Sequence, residues 1–565
     1  MSDKLDVIDS RRLTGPNLLW DKPGAVIDVK ILDASVDDVI RLWNEQLKRM
    51  LTAIGWNTET TTHRINPDFT SLAFSAPIDA LYAATEINEW VIESVKNILA
   101  GKSELDLEPE AGRLKKAIAE EVNPKLLALR DAAAAHGITF LSDDDDASVG
   151  LGKGSLTWPV TALPAPGDID WQSAHDIPLG LITGTNGKTT TVRMACAIAQ
   201  QAGLTVGLSS TDWIAVGEEI LDKGDYSGPG GARTVLRDKR VDVGILEAAR
   251  GGLIRRGLAV EHADAALITN IAEDHMGESG IHDLNALLDV KWIITRALNR
   301  EGVLVLNADD PMLVSRAPQS PAPVCFYSIH DDNETVVRHM KNGGKAVFVE
   351  HGHITFFDGR ARTKLIPIKD IPLALGGAAK HNVSNALGAT ALSLALGITW
   401  DAVVLGLKLT QTDANPGRGN LYEINGAKFL VDFAHNPHGL EAIFSTAAGL
   451  RANRKLILLG QAGDRSDDAI RDLTRKAWEI QPDFVIIKEM GEYSRGRPQG
   501  EVPGIIKDEL IKLGATPEQY TYVEKEIDAA KFAIDWAAAG DLALLLVHGE
   551  KEAVIGHFSA ITANN

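Results

Sequence analysis

Residues 181–191 read Leu-Ile-Thr-Gly-Thr-Asn-Gly-Lys-Thr-Thr-Thr, and the prediction of the fold begins with this stretch. The apolar run before it, residues 178–182, predicts a buried strand. Apolar residues at helical spacing from Val192 to Ala199 predict a helix after it. A strand, a glycine-rich loop and a helix together typically bind phosphate, because backbone N–H groups and the helix N-terminus face the anion. An ordinary glycine-rich turn is the alternative, but the flanking strand and helix favour nucleotide binding.

The candidate nucleotide-binding residues lie in this loop. Lys188 adds a positive charge for the phosphates, and the Thr189 hydroxyl is a suitable Mg²⁺ ligand. The common phosphate-loop pattern has a glycine five positions before Gly187, where this sequence has Ile182, so the loop is a shorter variant. The residues expected to surround the phosphates are Gly184, Thr185, Asn186, Gly187, Lys188, Thr189 and Thr190.

The composition of the 565-residue chain is typical of a globular protein with several domains, with 45% hydrophobic and 24% charged residues. A formal net charge of −20 argues against a general binder of nucleic acid or of anionic membranes. Two cysteines, Cys196 and Cys325, are too few for a disulfide framework and indicate a reducing compartment. The first residues carry no apolar signal core and no run is long enough to span a membrane, so a cytoplasmic location is expected.

Three domains are predicted, which makes the chain an α/β multidomain protein. Residues 1–165 predict an α+β N-terminal domain, and the proline-rich residues 159–168 predict a linker after it. Residues 175–371 alternate strand and helix patterns, which, together with the phosphate loop, predict a central P-loop domain with a mostly parallel sheet covered on both faces. Residues 372–565 repeat this alternation and predict a Rossmann-like C-terminal domain, although no GxGxxG fingerprint begins it.

Within the N-terminal region, apolar spacing predicts strands at residues 25–32 and 71–75, and helices at 36–54, 80–99 and 111–135 with a break at Pro124. No pairing of a nucleophile with a base is visible there. The four consecutive acids at residues 143–146 could bind a cation, but a solvated loop is the simpler interpretation.

Three polar residues of the central region are candidates for metal binding or catalysis. Glu247 ends the apolar run 243–247, and an acid at the carboxyl end of a buried strand beside a phosphate loop can complete Mg²⁺ coordination. A helix-capping acid is the alternative. His275 follows another buried run, and Lys291 lies on a predicted helix. From the residues alone, a structural histidine and a surface lysine are the simpler interpretations.

Further polar residues end other strands. The amide of Asn307 suits an adenine edge, although Asx-rich turns are common. Arg418 follows Pro416 and Gly417 in a rigid loop, where it could neutralise charge on a transferring phosphoryl group. Asp432 lies at the end of a strand in the third region.

Taken together, these motifs resemble those of the Mur ligase family, ATP-dependent ligases of cell-wall and folylpolyglutamate synthesis. The motifs occur in the order that the family has, and eight in order are far more specific than any one of them. They are GTNGKTT at 184–190, Glu247, TNIAEDH at 269–275, Lys291, NADD at 307–310, KHNVSN at 380–385, PGR at 416–418 and DFAHNP at 432–437.

The resemblance implies a role for each matching residue. Lys188 would hold the β- and γ-phosphates, Thr189 and Glu247 would bind one Mg²⁺, and His275 the second. Lys291 matches the lysine that becomes a carbamate in this family and helps to hold the second metal ion. The implied nucleotide contacts are Asn307 to adenine, Asp432 to the ribose, Arg418 to the phosphates and Asn382 in the same site. The implied catalytic residues are Lys188, His275, Lys291 and Arg418.

The implied reaction needs ATP and Mg²⁺ as cofactors. A carboxylate attacks the γ-phosphoryl group to give an acyl phosphate, and an amine then displaces phosphate through a tetrahedral intermediate. The two metal ions and Lys188 would spread the negative charge that develops. The implied partners are a small-molecule or peptide carboxylate and an amine, with no nucleic acid and no membrane, in a homo-oligomer.

Within this family, further segments of the chain resemble the cyanophycin synthetases. The matching segments are SSTD at 209–212, GDYSGP at 224–229, LEAARGG at 246–252, RGR at 495–497 and, in the N-terminal domain, RRLTGPN at 11–17. In those enzymes this ligase half attaches arginine to polyaspartate, and an ATP-grasp domain between the two matching parts adds aspartate. Here only residues 159–175 lie between the two parts. A single ligase site is therefore expected, with arginine as one candidate amine.

Two other functions stay open. A nucleotide-binding scaffold or regulatory protein would bind ATP without ligation, although the phosphate and metal residues named above are all present. A Mur-type ligase of natural-product or cell-wall peptide synthesis would keep the chemistry and change the product. Arg250, Arg255 and Arg256 could receive a carboxylate substrate near Glu247, or could lie on a helix surface.

Overall fold

The computed structural model describes residues 4–274, 276–410 and 415–563. Within these residues, the N-terminal region holds a four-stranded and a three-stranded sheet, the central region an eleven-stranded sheet and the C-terminal region a six-stranded sheet. Helices cover the larger sheets. This is the predicted α/β multidomain class, with an α+β N-terminal domain, a central P-loop domain and a Rossmann-like C-terminal domain.

The N-terminal region contains short antiparallel strands and four helices. Its elements are β1 (Leu5–Leu13), β2 (Gly24–Ile31), β3 (Thr61–Ile65), β4 (Thr70–Ser75), β5 (Phe140–Ser142), β6 (Asp146–Val149), β7 (Leu156–Pro159), α1 (Val36–Ile54), α2 (Leu81–Leu99), α3 (Leu107–Glu121) and α4 (Pro124–Ala135).

The first sheet has the order β1-β2-β4-β3, and its core lies under α1 and α2. β2 and β4 are buried along most of their length, whereas the edge strand β3 is largely exposed. The fully buried Trp43 of α1 donates its indole N–H to Asn88 of α2 at 2.8 Å, which satisfies both polar groups. Pro124 begins α4, so the predicted break lies where a proline is tolerated in a helix.

The acidic run predicted as a solvated loop is instead ion-paired. Asp143 pairs with Arg237 of the central domain at 2.5 Å, and Asp144 pairs with Arg12 of β1 at 2.7 Å. The Arg12 guanidinium holds the pKa of Asp144 below its usual value. Arginine side chains therefore supply the positive charge at these two acids, and the run joins the small β5-β6-β7 sheet to its neighbours.

The central region is organised around a long sheet. Its elements are β8 (Leu179–Thr183), β9 (Val206–Ser209), β10 (Trp213–Val216), β11 (Glu219–Lys223), β12 (Val243–Glu247), β13 (Ala265–Ile268), β14 (Val303–Asn307), β15 (Val324–Ser328), β16 (Ala346–Glu350), β17 (His353–Phe357), β18 (Arg362–Pro367), α5 (Lys188–Gln201), α6 (Pro229–Leu236), α7 (Arg250–Arg255), α8 (Leu284–Trp292), α9 (Pro311–Arg316), α10 (Glu334–Lys341), α11 (Lys380–Ala395) and α12 (Trp400–Leu409).

The described strands of this sheet have the order β11-β10-β9-β12-β8-β13-β14-β15-β16-β17-β18. Those from β9 to β16 in this order are parallel, and antiparallel strands extend both ends. β8, β12 and β13 are fully buried because helices cover both faces, which explains their continuous apolar runs. β8, which leads into the phosphate loop, lies between β12 and β13.

Helices α11 and α12 pack on the central sheet and on α5. The boundary expected between residues 371 and 372 would separate these helices from the surface that they cover. We therefore propose that the boundary between the central and C-terminal domains lies after α12.

The C-terminal region is a second α/β layer structure. Its elements are β19 (Arg418–Ile424), β20 (Ala427–Asp432), β21 (Lys455–Leu459), β22 (Phe484–Lys488), β23 (Tyr520–Val523), β24 (Leu542–Leu546), α13 (Pro437–Gly449), α14 (Asp467–Trp478), α15 (Glu501–Lys512), α16 (Glu526–Trp536) and α17 (Lys551–Ala563).

The C-terminal sheet has the order β19-β20-β24-β21-β22-β23, with β19 antiparallel and the other strands parallel. The carboxyl ends of β20, β21, β22 and β24 therefore lie at one edge of this sheet. None of the helices in the described part of the chain has the length and apolar character needed to cross a membrane.

The close contact between α12 and α5 leads to a prediction for the free energy of unfolding. A Cβ added at Gly406 would lie 2.4 Å from Ile198 Cα and 2.7 Å from its backbone nitrogen, so Gly406→Ala must push the helices apart. We expect it to lower the free energy of unfolding by about 1–3 kcal/mol. In α17, Gly556 has open space around it, so Gly556→Ala should instead stabilise by up to about 1 kcal/mol. Urea unfolding measures both changes, and equal effects of the two variants would contradict this packing.

Candidate active site

The phosphate loop connects β8 to α5 at the carboxyl edge of the central sheet. Gly184 and Gly187 have positive φ angles of 145° and 83°. A Cβ would lie 1.8 Å from Thr269 Oγ1 at the first glycine and 2.3 Å from Asn385 Oδ1 at the second. Backbone conformation and space therefore both require glycine at these positions. Lys188 begins α5, and its ammonium group donates to the Thr185 carbonyl at 2.9 Å.

A hydroxyl and a carboxylate meet beside this loop. Thr189 Oγ1 donates to Glu247 Oε2 at 3.0 Å, and the backbone N–H of Thr211 donates to the same oxygen at 3.4 Å. The Glu247 side chain is buried, and its Oε1 has no hydrogen-bond partner among the described residues. A buried carboxylate oxygen without a partner is costly, and a hydroxyl next to a carboxylate is a donor set that suits Mg²⁺. These residues fit the predicted metal ion.

The second predicted metal site is only partly described. His275 lies outside the described residues, and the described residues contain no group of three or more His, Cys, Asp or Glu side chains that could hold a metal ion. The roles of His275 and of the metal-binding set therefore stay predictions.

Lys291 lies on α8 and points into the phosphate loop. It is 3% exposed, and its ammonium group donates to the Gly184 carbonyl at 2.8 Å. The interpretation from the sequence that Lys291 lies on the exposed surface of a helix is therefore wrong. Burial, and next the charge of Lys188, hold the pKa of Lys291 well below its usual value. A lysine of lowered pKa carries a larger fraction of neutral, nucleophilic amine.

Arg250 lies on the side of α7 that faces this region. Its guanidinium pairs with Glu278 at 2.6 Å, and its charge contributes to the lowered pKa of Lys291. Arg255 and Arg256 are exposed. Of the three arginines that could receive a carboxylate near Glu247, Arg250 is thus the one whose charge acts on Lys291.

An interdomain cavity of about 630 Å³ lies between the central and C-terminal domains, next to the phosphate loop. Several residues predicted to contact nucleotide line it. They are Asn186, Gly187, Thr190, Asn307, Asn382, Arg418 and Asp432. The other predicted site residues that the structure describes do not line it and lie in the phosphate loop, at the start of α5, at the end of β12 and on α8; they are Gly184, Thr185, Lys188, Thr189, Glu247 and Lys291.

The amides of Asn307 and Asn382 are hydrogen-bonded within the protein. Asn307 donates to the Thr269 carbonyl at 3.1 Å, and Asn382 donates to the Leu373 carbonyl at 3.0 Å. Both residues line the interdomain cavity, so their side chains shape its wall while holding neighbouring segments in place.

Two histidines of the cavity wall were not predicted as site residues. His438 Nδ1 accepts a hydrogen bond from the side-chain amide nitrogen of Asn186 at 2.8 Å. His381 is half-buried, its buried Nδ1 has no partner among the described residues, and desolvation lowers its pKa to about 4. His381 lies within the motif that supplied Asn382, and His438 directly follows DFAHNP, so their position beside a motif was the only signal in the sequence.

Ion pairs between the central and C-terminal domains surround Arg418. Asp212, after β9, accepts from Arg193 of α5 at 2.5 Å and from Lys551 of α17 at 2.9 Å. Arg418 Nη2 lies 4.0 Å from the same carboxylate, and the guanidinium lies 5.1 Å from the centre of the Phe433 ring. Arg418 lines the cavity, and its buried Nε has no partner among the described residues.

A second contact joins the domains on the other side of the phosphate loop. Asp274 of the central domain accepts from Arg465 at 3.2 Å and lies 3.6 Å from His435 Nε2. Arg465 follows β21 and His435 follows β20, so both come from the carboxyl edge of the C-terminal sheet. The two sheets therefore present their carboxyl edges to the same space.

Two family models match the chain. The Mur ligase middle domain matches residues 182–393, and the Mur ligase glutamate ligase domain matches residues 417–549. The chain belongs to the Mur ligase family. The family predicted from the motifs is thereby confirmed, and its ATP-dependent joining of a carboxylate to an amine is the enzyme class predicted above.

Among curated relatives, cyanophycin synthetase of Crocosphaera subtropica is 33% identical over 385 residues, which are 68% of this chain and 44% of the relative. That of Geminocystis herdmanii is 36% identical over 337 residues, or 59% of this chain and 38% of the relative. The chain thus spans less than half the length of these relatives. A UDP-N-acetylmuramoyl-L-alanyl-D-glutamate–2,6-diaminopimelate ligase of Listeria monocytogenes is 25% identical over 385 residues, covering 66% of this chain and 73% of that ligase.

Solved structures share the fold. FolC of E. coli in complex with DHPP and ADP superposes with a TM-score of 0.51 at 21% identity, covering 68% of this chain and 89% of FolC. A bifunctional folylpolyglutamate synthase/dihydrofolate synthase with Mn, AMPPNP and L-glutamate bound gives a TM-score of 0.50 at 18% identity, with coverage of 68% and 89%. The fold class predicted for the central and C-terminal domains is confirmed.

The environment of Asp432 leads to a prediction for the pH dependence of the protein's stability. Burial raises its pKa from 3.8 to about 6, and the N–H of Ala434 and the charge of Arg418 offset this only in part. Below about pH 4 the carboxyl group is protonated in the folded and unfolded states and resembles an amide. As the pH rises through about 6, the folded state ionises at a cost, so wild-type stability falls relative to that of Asp432→Asn, by on the order of 1 kcal/mol.

Urea unfolding of both proteins without nucleotide, between about pH 4 and 7, measures this difference. The asparagine retains an oxygen that accepts from the Ala434 N–H, so the comparison isolates the charge. A stability difference that stays constant over this range would contradict the raised pKa of Asp432.

Proposed function

We propose that the protein is an ATP-dependent ligase that joins a carboxylate to an amine at a single site, through an acyl phosphate. One observation carries the proposal. Beside a phosphate loop, the buried Glu247 has a carboxylate oxygen without a partner and meets Thr189, while the buried Lys291 reaches the same loop. A plain nucleotide-binding scaffold needs the loop but has no need for a buried lysine of lowered pKa.

The loop and α5 serve the phosphates. Backbone N–H groups at the start of α5 and the Lys188 ammonium group face the anion and stabilise the charge that develops during transfer. Thr189 and Glu247 would hold Mg²⁺, which when bound neutralises phosphate charge. Arg418, which lines the cavity, is placed to contact the phosphates from the C-terminal side.

Lys291 serves the second metal position. Its neutral amine can add to CO₂ and release one proton, which converts the neutral amine into an anionic carbamate. The anion would lie between Lys188 and Arg250, whose positive charges disfavour the ammonium form and favour an anion. His275 is the other proposed ligand there.

Residues of the C-terminal domain form the wall of the site next to which the acyl group and the amine would lie. Asp274, His435 and Arg465 meet where the two carboxyl edges face each other. We propose that the amine is held in this region, with arginine and an aspartate-type side-chain carboxylate as the first substrate pair to examine. The relatives named cyanophycin synthetase and the single ligase unit of this chain support that choice.

We further propose domain limits of 1–165, 175 to the end of α12, and the remaining residues to 565. A cytoplasmic homo-oligomer without nucleic-acid or membrane partners is proposed with them, in keeping with the net charge of −20. Light scattering on the purified chain measures the oligomeric state.

The central test is the dependence of ATP turnover on both substrates. Phosphate release should require a carboxylate and an amine together, with ADP as the other product, because the acyl phosphate forms only on a bound carboxylate and is consumed only by the amine. A panel of amino acids and acidic peptides, assayed for phosphate release with mass spectrometry of the product, identifies the pair. Turnover that is equally fast with neither substrate would argue for a nucleotidase instead.

A second test removes the proposed carbamate. Lys291→Met keeps the volume of a long side chain in the buried site and removes the amine, so ligation should fall by about 100-fold or more while ATP still binds. Exposed Lys369→Met serves as the matched control and should keep wild-type turnover. Wild-type ligation by Lys291→Met would remove Lys291 from the mechanism.

A further inference from the structure

Three ionisable side chains form a buried cluster beneath the loop at residues 432–436. This Lys488 cluster consists of Lys488 at the end of β22, Glu526 at the start of α16 and His548 after β24. The three residues are 0%, 3% and 6% exposed. The Lys488 ammonium group contacts Glu526 Oε1 and donates to His548 Nδ1 at 2.9 Å. None of the three lines the interdomain cavity.

The contacts of His548 assign its tautomer. An ammonium group has donors only, so His548 Nδ1 must be the acceptor and the ring proton must lie on Nε2. That N–H donates to the Ala434 carbonyl at 3.2 Å. Burial, and next the charge of Lys488, lower the pKa of His548 well below its usual value, which keeps the ring neutral.

Glu526 holds the other side of the cluster. Its Oε1 also accepts from the His548 backbone N–H at 2.8 Å, and its Oε2 accepts from the Glu550 N–H at 2.7 Å. The carboxylate thus orients the segment that carries the histidine. A buried ion pair of this kind is rarely a net gain in stability over apolar residues of similar size, so conformational specificity is the better account of its presence.

The cluster reaches the proposed nucleotide site through two contacts. His548 holds the carbonyl of Ala434, whose own N–H donates to Asp432 Oδ1 at 2.7 Å. The His548 ring also packs edge-on against Phe433, with 5.0 Å between ring centres, and the Arg418 guanidinium lies on the same Phe433 ring at 5.1 Å. Asp432 and Arg418, both on the cavity wall, are therefore supported from beneath by one imidazole.

We propose that His548, oriented by Lys488 and Glu526, is a positioning residue that fixes the 432–436 loop in the conformation that binds the nucleotide. The inference rests on the proposed function only in taking the interdomain cavity as the nucleotide site. His548 does not touch the ligand itself and acts through the Ala434 carbonyl and the Phe433 ring.

Two substitutions of His548 test the roles of its two ring nitrogens separately. In His548→Gln, the side-chain amide nitrogen takes the place of Nε2 and still donates to Ala434. In His548→Asn, the side-chain oxygen takes the place of Nδ1 and still accepts from Lys488, but the donor to Ala434 is lost. We expect ATP binding about tenfold weaker for His548→Asn and close to wild type for His548→Gln, measured by calorimetry. In the ligation assay, the asparagine variant should raise KM for ATP more than it lowers kcat.

Hydrogen–deuterium exchange on the unliganded full chain tests the loop without reference to any ligand. Peptides that cover residues 429–440 should exchange faster in His548→Asn than in the wild type or in His548→Gln. Thr474→Val, at a buried hydroxyl that donates to the Ile470 carbonyl of its own helix, is the control for a general loss of stability in this domain. It should leave both loop exchange and ATP affinity unchanged.

The double variant Lys488→Met/Glu526→Gln covers the case in which His548→Asn fails to fold. It removes the buried charges while keeping volume, so it should remain folded yet bind ATP more weakly and expose the loop to exchange. Loop exchange and ATP affinity like those of the wild type, in this variant or in His548→Asn, would overturn the positioning role. A wild-type chain that binds no ATP would overturn the proposed function instead, and the exchange data would still decide the role of His548 in the loop.

Discussion

The hydrogen bond between Thr189 and Glu247 joins the two parts of the molecule on which the rest of the site depends. It ties the first turn of α5 to the end of β12, and it exists only because β8 and β12 are parallel neighbours whose carboxyl ends lie at one edge. The same arrangement brings in Lys291 from α8, whose amine bonds the loop carbonyl at Gly184. A buried acid, a hydroxyl and an amine thus meet through sheet topology, although they are far apart along the chain.

The second half of the site depends on how the C-terminal sheet faces the first. Asn436 and His438, at the start of α13, contact Asn186 of the phosphate loop, and Lys551 of α17 reaches Asp212 of the central domain. These contacts are polar and only partly buried, which is typical of domain interfaces that open and close. Such an interface suits the proposed ligation, in which the amine reacts only after the carboxylate has been phosphorylated.

Much of the fold could be predicted because its signals are local. Glycine spacing marked the loop, continuous apolar runs marked the buried parallel strands, and the period of apolar residues gave α1 at its observed bounds. β1 and β3 were missed because edge strands carry polar residues on exposed positions. The burial of Lys291 and the pairing of Asp143 with Arg237 depend on which distant segments pack nearby, and a single sequence carries no local sign of that. His381 and His438 were missed for the same reason.

The two glycines of the phosphate loop have a consequence for how this chain can vary. The space that a side chain would take at each is filled by a side chain from a different segment, Thr269 at Gly184 and Asn385 at Gly187. Thr269 also donates its hydroxyl to the Asn186 carbonyl at 2.6 Å, so a smaller residue there would loosen the loop that it makes room for. The effect of a change at any of these positions therefore depends on the residue at its partner. Gly184 and Thr269 are about 85 residues apart along the chain, and Gly187 and Asn385 about 198. Within each pair there is room for only one side chain, so we expect the two positions to change together.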